Sequence, residues 1–179
     1  DDVYREYADT HWRELMARYQ PDILWNDIGY PGFGAGAASV IADFYNTNPD
    51  GVVNDRFDVL GVMNGTAHAD FRTPEYSTDV TRGSGDSTTM FEVCRGIGTS
   101  FGYVAAEDDS TYLSIPDLIT MFVNIVADGG NLLLNFGAMP GGEIPWSQQM
   151  RILAMGQWLS VNGDAIYGSR PFEVSRLRT

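Results

Sequence analysis

The sequence contains no lysine, and this absence excludes several kinds of chemistry. All 11 cationic side chains among the 179 residues are arginines, against 24 aspartates and glutamates, which gives a formal net charge of −13. Without lysine the protein cannot form a Schiff base with a substrate or with pyridoxal phosphate, and it cannot contain a lysine-dependent phosphate-binding loop. The acidic balance also argues against binding to nucleic acid or to an anionic membrane surface, because both require clustered positive charge.

Cysteine, histidine and long apolar runs are also scarce. Cys94 is the single cysteine and cannot form an internal disulfide. His11 and His68 are far apart in the sequence, which argues against a histidine-rich zinc site. The longest apolar stretch, residues 115–127, contains Asp117 and is too short to cross a bilayer. We therefore expect no membrane partner.

Short apolar runs alternate with amphipathic segments along the chain. The periodicity predicts helices over residues 3–19 and 37–46. It predicts a third helix that begins at residue 115 and is ended by Gly129-Gly130, and a fourth whose apolar face lies within residues 152–159 and which is ended by Asn162-Gly163. It predicts strands over residues 23–25, 52–53, 70–72, 91–96 and 132–134. Ser114 and Asp117 have the spacing of a helix capping box, and the continuous run Leu132–Leu134 predicts a strand that is buried on both faces. This alternation is typical of an α/β fold with about five parallel strands and intervening helices.

Polar side chains follow the predicted strands at four places. They are Asn26-Asp27, Asn54-Asp55-Arg56, Glu75 and Asn135. An open doubly wound sheet and a partial (β/α)8 barrel both fit the order of elements. In a barrel the carboxyl ends of the strands converge on one face, where active sites are built, and we therefore favour the barrel. At any single position, Asn and Asp also serve as turn formers and helix caps.

Two of these strand-end residues, Asp27 and Glu75, have the side chains that glycoside hydrolysis requires. One carboxylate attacks the anomeric carbon, while the other donates a proton to the leaving oxygen. Arg56 is placed to keep Asp27 ionised, and Trp25 offers a flat apolar surface on which a sugar can stack. In a chain with 24 acidic residues a pair of carboxylates is easily found, so the pair alone leaves the activity open.

Several longer strings carry a resemblance to a known family. They are Pro21–Asp27, Val53–Arg56, Phe71–Tyr76, Phe91–Cys94, Ser100–Tyr103, Gly130–Asn135, Ile144-Pro145, Gly156–Leu159 and Asn162–Gly168. In this order they resemble the retaining α-L-fucosidases of glycoside hydrolase family 29. The similarity extends over nearly the whole chain. It implies a (β/α)8-like barrel and an enzyme that releases terminal α-L-fucose by double displacement, without a metal or an organic cofactor.

The resemblance also implies a role for individual residues. Asp27 matches the nucleophile and Glu75 matches the general acid/base. The residues that match the lining of the sugar site are Trp25, Arg56, Tyr76 and Phe101. Tyr76 and Phe101 match aromatic positions near the C6 methyl group of fucose, which is a 6-deoxy sugar. The implied substrate is a fucosylated glycan, and the implied location is secreted, periplasmic or lysosomal.

The sequence departs from the family mainly in its extent. The upstream half of the family barrel, with its sugar-binding histidines, has no counterpart here, and neither does the C-terminal β-sandwich. We therefore expect residues 1–179 to form a single incomplete catalytic domain, the later half of the barrel. Such a half exposes apolar sheet edges and needs the missing half or an oligomeric partner. The alternative is a non-hydrolytic carbohydrate-binding or structural half-domain.

Overall fold

The computed structural model describes residues 2–31, 35–58, 69–77 and 90–171. It divides the chain into two compact units, Asp1–Thr73 and Pro74–Thr179. Both units contain parallel strands and helices, so the predicted α/β class is confirmed. Within the described residues, no helix has the length and apolar character that a bilayer crossing requires.

The first unit begins with helix α1 (Asp2–Tyr19) and strand β1 (Ile23–Leu24), followed by helix α2 (Ala35–Thr47) and strand β2 (Val52–Val53). A 3₁₀ turn (Asp55–Asp58) then leads towards strand β3 (Phe71–Arg72). Strand β1 pairs with β2 in parallel, and a parallel bridge joins Asn54 to Phe71. The carboxyl ends of β1 and β2 therefore lie side by side, as the sequence predicts.

The core of this unit lies between α2 and the two strands. Its buried residues are Leu24, Tyr30, Ala37, Val40, Ile41, Phe44, Val53 and Phe57. Helix α1 contributes only the partly buried Trp12 and Met16, and none of its residues is fully buried. The apolar positions Tyr4, Tyr7 and Tyr19, which fit the helical periodicity, are exposed.

The second unit contains strand β4 (Met90–Gly96), helix α3 (Ile115–Ala127), strand β5 (Gly130–Asn135) and helix α4 (Trp146–Asn162). Strands β4 and β5 pair in parallel along all of β5, from Phe91 opposite Gly130 to Gly96 opposite Asn135. Helix α3 packs on this pair through an apolar face. The buried residues of the cluster are Phe91, Val93, Leu118, Met121 and Ile125.

Helix α3 begins and ends at the predicted residues. The Ser114 hydroxyl accepts a hydrogen bond from the Asp117 amide at 3.2 Å, and it donates one to the Asp117 carboxylate at 2.5 Å. Pro116 occupies the first turn, where no backbone donor is needed. Gly129 ends the helix with a left-handed φ of 89°, a conformation that costs glycine little.

The prediction that Leu132–Leu134 are buried on both faces of the sheet is wrong. Leu132 and Leu134 pack against the α3 cluster, but Leu133 is 44% exposed. Successive strand residues point to opposite faces, and within the described part of this unit the α3 layer covers only one of them. An apolar run predicts where a strand lies. The burial of its side chains depends on what packs against each face of the sheet.

Candidate active site

Asp27 lies just beyond strand β1 with its carboxylate exposed to solvent. Its Oδ1 accepts a hydrogen bond from the Ile28 amide and one from the Arg56 Nη1 group, both at 2.9 Å. Among the described residues, none donates a hydrogen bond to Oδ2. The carboxylate is therefore anchored through one oxygen, while its side chain remains 58% exposed.

Arg56 is the cation that faces Asp27, as the sequence predicts. The side chain of Arg56 is only 15% exposed, and its guanidinium carbon lies 4.8 Å from the centre of the Trp25 ring. The Asp55 carboxylate, which is adjacent to Arg56 in the sequence, accepts hydrogen bonds from Thr73. Trp25, Asp27 and Arg56, three of the predicted site residues, are thus close together within the first unit.

A buried pair of amides aligns the strand ends that carry these residues. The Asn26 backbone N–H donates to the Asn54 side-chain oxygen at 3.1 Å, and the Asn54 side-chain NH₂ donates to the Asn26 carbonyl at 2.8 Å. The side chain of Asn26 also donates to the Arg56 carbonyl. Since buried polar groups must be paired, this exchange fixes Asp27 and Arg56 relative to each other.

The other three predicted residues lie in the second unit. Glu75 forms a parallel bridge with Cys94 of strand β4, and its side chain is exposed. The Tyr76 amide donates to the Cys94 carbonyl, while the Cys94 amide donates to the Pro74 carbonyl. These backbone bonds hold residues 74–76 along β4 and fix the position of the Glu75 backbone.

Tyr76 and Phe101 form an aromatic cluster with Arg95. The two rings meet edge to face with centres 5.1 Å apart, and the Arg95 guanidinium lies over the Tyr76 ring at 5.2 Å. Burial lowers the pKa of Arg95, although the charge of this arginine remains fixed at physiological pH. The Asn135 side chain, at the end of β5, donates to the Phe101 carbonyl at 2.5 Å. This bond holds in place the loop of residues 97–103, which contains Phe101 and Tyr103 and is called the aromatic loop below.

Thr73 is a site residue that the sequence pattern does not single out. Its hydroxyl contacts both Asp55 and Arg56, although it lies 18 and 17 residues away from them. Thr73 lies inside the string Phe71–Tyr76, but that match assigns it no role, and its local signal is the position directly after strand β3, where the other polar site residues also follow strands.

The described residues contain no group of three His, Cys, Asp or Glu side chains that could hold a metal ion. The acidic loop residues Asp108 and Asp109 already have protein partners. Asp108 accepts hydrogen bonds from Ser110, and Asp109 pairs with Arg151 at 2.9 Å.

Comparison with known sequences gives a consistent result. The sequence model of the α-L-fucosidase family matches residues 1–164. Rat tissue α-L-fucosidase is 33% identical over 171 residues, which cover 92% of this chain and 36% of that protein. Rat plasma α-L-fucosidase is 36% identical over 160 residues, or 86% of this chain and 34% of that protein. The chain thus spans about a third of the length of these curated relatives.

Solved structures of similar sequence have the same fold. The Thermotoga maritima α-fucosidase in complex with fucose has a TM-score of 0.78 and 39% identity, and the match covers 96% of this chain and 37% of that one. The same enzyme in complex with a mechanism-based inhibitor also has a TM-score of 0.78, with 41% identity and the same coverage.

Proposed function

The chain belongs to the α-L-fucosidase family, and from this premise we propose that the protein is a retaining exo-α-L-fucosidase. Its substrates are glycoconjugates or oligosaccharides that end in α-L-fucose. Asp27 is the nucleophile, Glu75 is the general acid/base, and the fucose is bound by Trp25, Arg56, Tyr76 and Phe101.

The geometry of Asp27 is the observation that carries this proposal. A nucleophilic carboxylate must hold its orientation and present one oxygen to the substrate. Asp27 meets these needs because Oδ1 is bonded to Arg56 and to the Ile28 amide, while Oδ2 accepts no hydrogen bond from the described residues. We assign Oδ2 as the attacking atom.

The reaction then proceeds in two displacements. In the first, Oδ2 of Asp27 attacks the anomeric carbon of fucose while the bond to the leaving oxygen breaks, and Glu75 gives its proton to that oxygen. In the second, the Glu75 carboxylate removes a proton from water, and the water oxygen attacks the anomeric carbon. The bond to Asp27 breaks, and fucose leaves with the α configuration that it had in the substrate.

The aromatic cluster of the second unit suits the apolar part of fucose. Phe101 is 36% exposed, and its edge-to-face contact with Tyr76 holds its ring in a defined orientation. Fucose carries a methyl group where galactose carries a hydroxymethyl group. An aromatic wall gains free energy by burying that methyl group, whereas it would leave a hydroxyl unpaired.

The length of the relatives supports an active form larger than this chain. Because the chain spans about a third of them, we propose that it is the later half of a (β/α)8 barrel, a single incomplete catalytic domain. The remaining part of the barrel completes the sugar site, either within the same polypeptide or as an associated partner.

The test uses the full-length protein, expressed from the complete reading frame that encodes this chain. The Asp27→Gly variant should lose turnover of an aryl α-L-fucoside by about three orders of magnitude or more. Azide should restore release of the aryl group, because it attacks the anomeric carbon directly and leaves β-L-fucosyl azide. Asp22→Gly is the matched control. Asp22 directly precedes the same strand, and its side chain makes no hydrogen bond or ion pair with the described site residues of the first unit.

Two results would overturn the assignment. Ordinary turnover by Asp27→Gly would exclude Asp27 as the nucleophile, and release of β-L-fucose as the first product in the NMR spectrum would exclude retention. Binding of fucose by the full-length wild-type protein without any turnover would instead support the carbohydrate-binding alternative.

A further inference from the structure

Thr73 occupies a buried position between two charged side chains. It is 6% exposed and lies directly after strand β3. Its hydroxyl donates a hydrogen bond to Asp55 Oδ1 at 2.7 Å and accepts one from Arg56 Nε at 2.7 Å. The Thr73 backbone extends the contact on both sides, because its amide donates to Asp55 Oδ1 and its carbonyl accepts from Arg56 Nη2 at 2.8 Å.

The direction of these hydrogen bonds follows from the charges. A threonine hydroxyl has one proton and two lone pairs, and an ionised carboxylate only accepts. Asp55 therefore accepts the hydrogen bond that the hydroxyl donates, and a lone pair of Oγ1 remains to accept the hydrogen bond from Arg56. Without Asp55 the hydroxyl could rotate, and its proton could point towards the guanidinium instead.

The guanidinium is planar, so two anchored nitrogens determine where the third one points. Nε and Nη2 of Arg56 are held by the Thr73 hydroxyl and carbonyl, and Nη1 then points at Asp27 Oδ1. The 3₁₀ turn at Asp55–Asp58 makes this possible, since it presents Asp55 and Arg56 as consecutive residues beside Thr73. Because both nitrogens are hydrogen-bonded, the Arg56 guanidinium has little freedom to rotate.

We propose that Thr73 and Asp55 are positioning residues that act on the nucleophile through Arg56. Asp55 orients the Thr73 hydroxyl, Thr73 orients the guanidinium, and the guanidinium holds the Asp27 carboxylate so that Oδ2 faces the anomeric carbon. This inference rests on the proposed function, because it takes Asp27 as the nucleophile.

A purely structural role for Thr73 makes a different prediction. If Thr73 only connects the end of β3 to the 3₁₀ turn, removal of its hydroxyl would lower stability and would reduce activity by the same factor whether or not Arg56 is present. If Thr73 acts through Arg56, removal of its hydroxyl should reduce activity only while Arg56 is present. A double-mutant cycle separates the two cases.

The experiment measures kcat/KM for an aryl α-L-fucoside in the full-length protein. Thr73→Val removes the hydroxyl but keeps the branched shape, and we expect it to lower kcat/KM by about 10- to 100-fold, since small displacements of catalytic groups have effects of this size. In an Arg56→Ala background the same change should have an effect of less than about threefold. Thr73→Ser, which keeps the hydroxyl, should retain kcat/KM within about threefold of the wild type in the Arg56 background.

The matched control is Thr47→Val. The Thr47 hydroxyl donates only to carbonyls of its own helix, at Asp43 and Phe44, so its loss should leave kcat/KM unchanged. Asp55→Ala is a second variant, which removes the oxygen that accepts the hydrogen bond from the Thr73 hydroxyl, and it should reproduce the loss even if Thr73→Val does not fold. Wild-type kcat/KM in Thr73→Val or in Asp55→Ala, or equal losses for Thr73→Val in both backgrounds, would overturn the proposal.

Failure of this inference can be distinguished from failure of the proposed function. If Asp27→Gly loses turnover and is rescued by azide, Asp27 is the nucleophile whatever the cycle shows. Additive effects of Thr73→Val and Arg56→Ala would then refute only the positioning roles of Thr73 and Asp55.

Discussion

Ile28 and Tyr76 share one unusual backbone conformation, with φ angles of 53° and 52°. Each directly follows one of the two proposed catalytic carboxylates, Asp27 and Glu75. The left-handed region costs an L-residue roughly 1–2 kcal/mol, and it is especially rare for a β-branched side chain such as Ile28. Such strain is typical of positions where the surrounding structure fixes a functional side chain.

Replacing Ile28 by glycine tests whether this strain is present. The Ile28 side chain is 88% exposed, so its removal sacrifices little packing, and glycine adopts a positive φ without a steric cost. We expect Ile28→Gly to raise the free energy of unfolding by about 0.5–1 kcal/mol, because the relieved strain exceeds the extra conformational entropy that glycine gives the unfolded chain, as measured by urea denaturation of the full-length protein.

Ile23→Gly is the matched control for that measurement. Ile23 is also an exposed isoleucine, but it lies in strand β1, where glycine adds flexibility and relieves no strain. It should lower the free energy of unfolding by about 0.5–1 kcal/mol. Destabilisation by both variants to the same extent would show that Ile28 is not strained.

Gly96 should not tolerate a side chain, because strand β4 ends there in close contact with the aromatic loop. A Cβ atom at Gly96 would lie 2.2 Å from the Ser100 carbonyl oxygen and 3.0 Å from the Tyr76 hydroxyl. We expect Gly96→Ala to lower the free energy of unfolding by about 1–3 kcal/mol, the usual cost of overpacking. Gly102→Ala, where a Cβ would meet nothing within 4 Å, should change it little. Similar urea midpoints for the two variants would contradict this account.

Phe101 should determine selectivity for the methyl group of fucose. We expect Phe101→Ala to lower kcat/KM for an aryl α-L-fucoside by about tenfold, because a methyl group in an apolar site is worth 1–3 kcal/mol. The corresponding pentopyranoside, which lacks that methyl group, should be affected much less. Tyr103→Ala, in the same loop, should leave the ratio of the two substrates unchanged. An equal loss for both substrates with Phe101→Ala would place the methyl group elsewhere.

The sequence predicts most of the described secondary structure, because most elements carry a local signal; the start of α4 at Trp146, six residues before the predicted apolar face, has no capping side chain to mark it. Strand β1 is a short apolar run, and α3 has both an apolar face and a cap at Ser114. The exposure of Leu133 could not be predicted in the same way. It depends on which face of the sheet is covered, and that is a property of packing rather than of the strand.

The candidate site shows the same division between local and distant signals. The pairing of Arg56 with Asp27 was predictable because both residues follow parallel strands whose ends must be adjacent. The role of Thr73 was not, since its partners come from a 3₁₀ turn 17 and 18 residues earlier that no periodicity reveals. The left-handed φ of Ile28 opposes the preference of its residue type, so no sequence rule would place it there.

Arg151 should stabilise the second unit by holding the loop before α3 onto helix α4. Its side chain is only 10% exposed, its Nε donates to the Leu113 carbonyl at 2.6 Å, and its guanidinium lies over the Tyr112 ring. We expect Arg151→Met to lower the free energy of unfolding at pH 7 by about 1–3 kcal/mol, because the Leu113 carbonyl loses its charged donor. Arg18→Met is the control. Arg18 pairs with Glu14 on the exposed surface of α1, where such pairs contribute little.

The effect of Arg151→Met should also depend on pH in a defined direction. Two side-chain hydrogen bonds hold the pKa of Asp109 below its ordinary value, and the bond from Arg151 has a larger effect than the bond from Ser147. A lowered pKa stabilises the folded state above the pKa of the unfolded chain, near 4, and this contribution disappears as the pH falls through the folded value. The stability difference between the wild type and Arg151→Met should therefore be largest at neutral pH and decrease below about pH 4. Urea denaturation at pH 7, 5 and 3 measures it. A difference that is constant across this range would show that Asp109 contributes nothing and that the Leu113 and Tyr112 contacts account for the whole effect.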